Sequence, residues 1–154
     1  MGPKSPRDYV TGYNAKERPE GPSALEVGNV FKIAASEARV RGYLAKLGWA
    51  HTASSSQTEM DSYRDKTSGR VLFTEDITEG FPVTFLMGQL SLRDFSRMAN
   101  DLTPEINLLE VESSWEGKPT TIVVAMSEEQ VRSMFGRRAK MRPLPVRRVA
   151  RGRT

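Results

Sequence analysis

The chain reads as a small single α+β domain: a mainly antiparallel sheet of about four to five strands packed by two to three helices, with an irregular N-terminal arm and a basic C-terminal tail. Three observations predict this. Apolar residues recur at helical spacing around 23–47, 91–102 and 127–135, short β-branched and aromatic runs fill the intervals, and neither end of the chain carries apolar periodicity. The boundaries follow as an extended Pro-rich arm over 1–22, an α+β domain over 23–136 and an Arg-rich disordered tail over 137–154.

Pro3, Pro6, Pro19 and Pro22 each remove a backbone donor and bias the preceding residue toward extended geometry, which makes the arm irregular. Ser23 and Glu26 form a capping box after Pro22, and Val27, Val30, Phe31 and Ala34 continue at helical spacing, so the domain is expected to open on a helix. A second start lies at Ser36, with Val40, Tyr43, Leu44 and Leu47 as its stripe and Gly48 as its stop. Arg39, Arg41 and Lys46 fall off that stripe and form a basic face.

The polar stretch from Trp49 to Gly69 is too long for a structureless loop in a compact domain, which places an edge strand within it. Tyr63–Asp65 should pair with Arg70–Thr74 across the turn Lys66-Thr67-Ser68-Gly69. Phe81 to Met87 reads as a further strand, with Pro82 putting its start at an edge. Ser91 caps a helix carrying Leu92, Phe95, Ala99 and Leu102, and Pro104 forbids its continuation. Ile106–Trp115 and Thr120–Met126 form a hairpin about Glu116-Gly117-Lys118-Pro119, and Ser127 with Gln130 boxes a last short helix closed by Gly136. All helices are expected on one face of the sheet.

Charge is segregated along the chain. Eight of the 23 cationic residues lie in 137–154 (Arg137, Arg138, Lys140, Arg142, Arg147, Arg148, Arg151 and Arg153) with no acid among them, which leaves 15 cations against 19 acids in the rest. The natural partner of such a tail is a polyanion or an acidic protein face. Seven of the eight are arginine, whose planar fork grips phosphate and stacks on bases, so nucleic acid is favoured. Tyr9 and Tyr13 in the arm are candidate partner contacts, because aromatic groups on an extended segment can fill pockets or stack on bases.

Little supports catalysis. Cysteine is absent and His51 is the single histidine, which argues against thiol chemistry and a histidine-built metal site, and no cofactor is expected. His51, Ser54 to Ser56 and Asp61 are the one nucleophile, base and acid set at short range, but sequence spacing alone builds no triad. The acid pairs Glu75/Asp76, Glu110/Glu112 and Glu128/Glu129 read as a turn, a strand face and a helix first turn. No phosphate loop or dinucleotide fingerprint is present. The first 22 residues lack an apolar signal core, and no run is long enough to cross a bilayer, so an intracellular address in nucleus or cytoplasm is expected, not secreted and without a membrane partner.

The expected role is therefore a non-enzymatic accessory or structural component of a large assembly, of ribosomal or chromatin type, holding other subunits through its body and nucleic acid through its tail. The alternative is an architectural protein of an acidic lattice such as microtubules of the axoneme.

Overall fold

The computed structural model describes residues 29–55, 60–115 and 117–144, and among these the chain builds one eight-stranded mixed sheet with three helices. In chain order the elements are β1 (Asn29–Ile33), α1 (Glu37–Lys46), β2 (Trp49–Ser55), β3 (Met60–Asp65), β4 (Val71–Asp76), β5 (Thr84–Gly88), α2 (Leu92–Leu102), β6 (Leu109–Trp115), β7 (Lys118–Ala125), α3 (Glu128–Phe135) and β8 (Met141–Pro143). The strand order is β2-β3-β4-β5-β1-β7-β6-β8. The α+β character stands, but the expected sheet of four to five strands does not: there are eight among the described residues, and the sheet is mixed, with six antiparallel pairings and one parallel, β1 with β7.

The correction begins at β1. Val30, Phe31 and Ala34 satisfy a helical period, yet Asn29–Ile33 is a strand, antiparallel to β5 (Phe31 opposite Leu86) and parallel to β7 (Phe31 beside Val123). The period-2 reading wins because both faces of this strand are covered: Phe31 and Ile33 enter one core, while Val30 and Lys32 turn to the other. Val27 and the Ser23–Glu26 box lie outside the described residues. Seated between β5 and β7, β1 joins an antiparallel meander, β2 to β5, to the β6–β7 hairpin, and so makes one sheet of what would otherwise be two.

The strand expected over Phe81 to Met87 forms as Thr84–Gly88, but it lies between β4 and β1 and not at an edge, because Pro82 falls ahead of the strand and costs it no ladder bond. The capping signals act as expected. The Ser36, Ser91 and Ser127 hydroxyls accept from the third residue of α1, α2 and α3, and Gln130 closes the capping box. The β3–β4 turn is held by Asp65, whose carboxylate accepts from Thr67 N at 3.0 Å, Ser68 Oγ at 2.8 Å and Arg70 Nη2 at 2.8 Å. These donors hold its pKa down to about 2, with the Arg70 contact largest.

Two cores result. Phe31, Ile33, Val40, Leu44, Leu72, Leu86, Phe95 and Met98 pack α1 and α2 on one face. On the other face Val131 of α3 joins Val111, Ile122, Val124 and Met126, so the helices occupy both faces and not one. Capping sets where α3 starts, but only the apolar side of β6 and β7 decides which face it covers.

The domain also runs past residue 136. Met141–Pro143 pairs with Leu109–Val111 as edge strand β8, and Leu144 N donates to Leu108 O at 3.1 Å. The first eight residues of the segment assigned to a disordered tail therefore belong to the fold. Exposed charge and a proline suit an edge strand that must not recruit another chain. No helix among the described residues is long and apolar enough to cross a membrane.

Candidate functional site

Half of the predicted polyanion-binding set is placed. Arg137, Arg138, Lys140 and Arg142 are all exposed, on the turn after α3 and along β8; Arg147, Arg148, Arg151 and Arg153 lie outside the described residues, as do Tyr9 and Tyr13. Gly136, at φ 107°, turns the chain out of α3 so that Arg137 and Arg138 follow at once on the surface.

The four placed cations differ in their surroundings. Arg137 and Arg138 hold no ion pair among the described residues. Arg142 Nη2 reaches Glu110 Oε2 at 3.2 Å, and Lys140 Nζ stands 4.0 Å from Glu112 Oε2. Both pairs face solvent on the cationic side, where such contacts contribute about 0–1 kcal/mol. A phosphate can displace them at small cost. A shallow trough of about 620 Å³ runs beside them, lined by Arg137, Arg138 and Lys140 with Glu112, Ser113, Ser114 and Phe135. Three cations against one acid, with polar residues beside them, can contact phosphate and sugar.

A second polar cluster sits at the opposite end of the sheet. Pairing of β2 with β3 sets His51 opposite Tyr63, and His51 Nε2 comes 3.3 Å from Asp61 Oδ1. The sequence proximity of His51 and Asp61 thus becomes a contact. Ser54 and Ser55 end β2, and Ser56 lies outside the described residues.

Arg41 of α1 ties the cluster together. Its guanidinium donates to Asp61 Oδ2, to Glu37 Oε1 at 3.2 Å and, through Nε, to the Tyr63 hydroxyl at 3.2 Å. Arg39 meanwhile donates to the Leu102 carbonyl at 2.9 Å, at the C-terminus of α2. Two of the three cations of the basic face expected on α1 are therefore engaged within the fold, while Lys46 is exposed. Glu37 was not singled out by its sequence position, since a lone acid in a helix first turn reads as a dipole partner.

Burial, then the adjacent Asp61 carboxyl, push Glu37 up to about 7, and Arg41 only partly opposes them. The sign of the consequence follows. A carboxyl whose pKa is about 4.5 in a free chain and about 7 in the fold favours the folded state fully below pH 4.5, and that contribution is lost as pH rises through 7. Glu37→Gln should therefore shift the denaturation midpoint little at pH 5 and raise it at pH 8. A variant less stable than the parent at pH 8 would contradict the assignment. Asp65 works in the opposite sense: its contribution is present above pH 3.8 and lost toward pH 2.

Two of the three acid pairs have plain structural employment. Glu110 and Glu112 face β8, and Glu128 and Glu129 lie in the first turn of α3 beside Arg132. Among the described residues no group of three or more His, Asp or Glu is arranged to hold a metal ion.

Fold and site together define the class: an α+β protein with a single mixed sheet and a cationic trough at one edge. No protein-family model matches the chain, and neither the curated proteins nor the solved structures contain a match to it. Function has to be argued from its own side chains.

Proposed function

We propose that the protein is a non-enzymatic, intracellular component of a larger assembly that binds nucleic acid through its basic C-terminal edge. One observation carries the reading: Arg137, Arg138 and Lys140 line a trough in which Glu112 is the one acid, and the sequence continues from β8 into four more arginines. The cations on the turn and on β8 present a fixed pattern of donors, which lowers the entropy cost of docking. The arginine-rich remainder adds sequence-independent attraction to the phosphate backbone. The arginine bias of the segment favours nucleic acid over an acidic protein lattice, because the guanidinium fork grips phosphate and stacks on bases.

Because β8 belongs to the fold, cutting the chain at residue 136 would damage the sheet, and charge removal is the sound test. Two full-length variants are compared with the parent on single-stranded RNA, duplex DNA and polymerised tubulin across a salt series. One replaces Arg137, Arg138, Lys140 and Arg142 with Gln; the other replaces Arg147, Arg148, Arg151 and Arg153. Each should lower the slope of log affinity against log salt by about three units, at ~0.7–0.9 per phosphate contact. Unchanged slopes, or binding to tubulin polymer alone, would remove the nucleic-acid reading.

A further inference from the structure

The feature least expected from the sequence is Lys32, a single cation in the apolar run Val30 to Ala35 and on the central strand of the sheet. Register sends it to the α3 face, beside Phe85 of β5 and Val124 of β7. There Nζ lies 4.4 Å from the centre of the Phe135 ring, 5.6 Å from that of Phe85 and 3.6 Å from the Met134 sulphur. No carboxylate among the described residues closes an ion pair with it. Burial pushes its ammonium below the ordinary lysine range, against the opposing fields of Glu79 and Glu75.

Lys32 is not sealed in. It opens on a cleft of about 270 Å³ whose apolar wall is Val30, Ile77, Phe85 and Ile122, with Glu75, Ser113, Ser114 and Thr120 as the polar residues. Apolar walls with a few convergent polar groups make a small-molecule site, and this volume falls below the ~300–1,000 Å³ that drug-sized ligands occupy. The charge pattern narrows the ligand further. Glu75 in the lining and Glu79 nearby discourage an anion, and an amine held by soft contacts has little to offer a second cation.

We propose that Lys32 is the nucleophile of a reversible covalent site for small, neutral aldehydes or ketones. A desolvated lysine amine is the standard nucleophile for carbonyl carbon. The free amine adds to that carbon to form a carbinolamine; loss of the former carbonyl oxygen as water, carrying both amine protons, leaves a C=N bond. Solvent carries the proton from nitrogen to oxygen, and the polar residues of the wall lie beside the substituents of the bound carbonyl compound. No oxidant or reductant is required. The site shares Ser113 and Ser114 with the cationic trough, but its chemistry does not depend on nucleic-acid binding.

The test uses the full chain, benzaldehyde and cyclohexanone as probes, and sodium cyanoborohydride to trap the imine, with sites located by peptide mass spectrometry. Lys32 is expected to take several-fold more label at pH 7 than Lys46, Lys66 or Lys140, with a rate that levels off at lower pH than theirs. Lys32→Met should abolish that adduct and leave the others unchanged. Label spread evenly over exposed lysines, or Lys32 left unmodified in the parent protein, would overturn the proposal whether or not the variant folds.

Discussion

Phe31→Ala should remove about 3–5 kcal/mol of folding free energy, the usual cost of truncating a fully buried aromatic side chain. Phe31 is 1 % exposed and stacks on Phe95 of α2, with ring centres 4.2 Å apart and planes within 12°. It also sits where β1 meets both β5 and β7, so the lost ring opens a hole where the two halves of the sheet join. Since a domain of this size holds about 5–15 kcal/mol in total, the variant should be near the edge of folding. Urea denaturation measures it. A cost below ~1 kcal/mol would mean that α2 collapses into the space, which the flat stacking on Phe95 argues against.

Gly88→Ala is expected to be comparably severe for a different reason. Gly88 has φ 141°, and a Cβ built there would meet the Val71 carbonyl oxygen at 2.6 Å and Leu72 Cα at 2.9 Å. Both obstacles are backbone of β4, so no side-chain rotation relieves them. Overpacking costs ~1–3 kcal/mol and a disfavoured backbone conformation ~1–3 kcal/mol more, which places the loss at roughly 2–6 kcal/mol. The close approach has a local cause: Gln89 N donates to Val71 O at 2.9 Å, while its side-chain Oε1 accepts from Val71 N at 2.9 Å. Gln89 thereby draws the end of β5 against the start of β4, and glycine is the residue that permits it. Thermal unfolding of Gly88→Ala within a few degrees of the parent would show that β4 can move aside.

The exposed cations and the paired groups were legible to different depths. Charge counting singled out Arg137, Arg138, Lys140 and Arg142 without any knowledge of the fold, because net charge survives whatever the backbone does. It could not place Glu110 and Glu112 opposite two of them, since that juxtaposition is a register of β6 against β8. His51 and Asp61 were visible as neighbours in sequence, but Glu37 and Arg41 reach them only because α1 packs over β3. Lys32 carried only a weak signal, one charge in an apolar run, and was not singled out from the sequence.

Capping serines, the Asp65 turn, the stop at Gly136 and the amphipathic stripes of α1 and α2 were all readable from the chain, because each depends on residues within a few positions of one another. The placement of β1 between β5 and β7, the recruitment of β8 and the side taken by α3 were decided in three dimensions. Strand partners lie far apart in sequence, and a strand buried on both faces shows no alternation to separate it from a buried helix. What chose among the local options was the joint demand of two apolar cores and of backbone donors and acceptors that must all be paired.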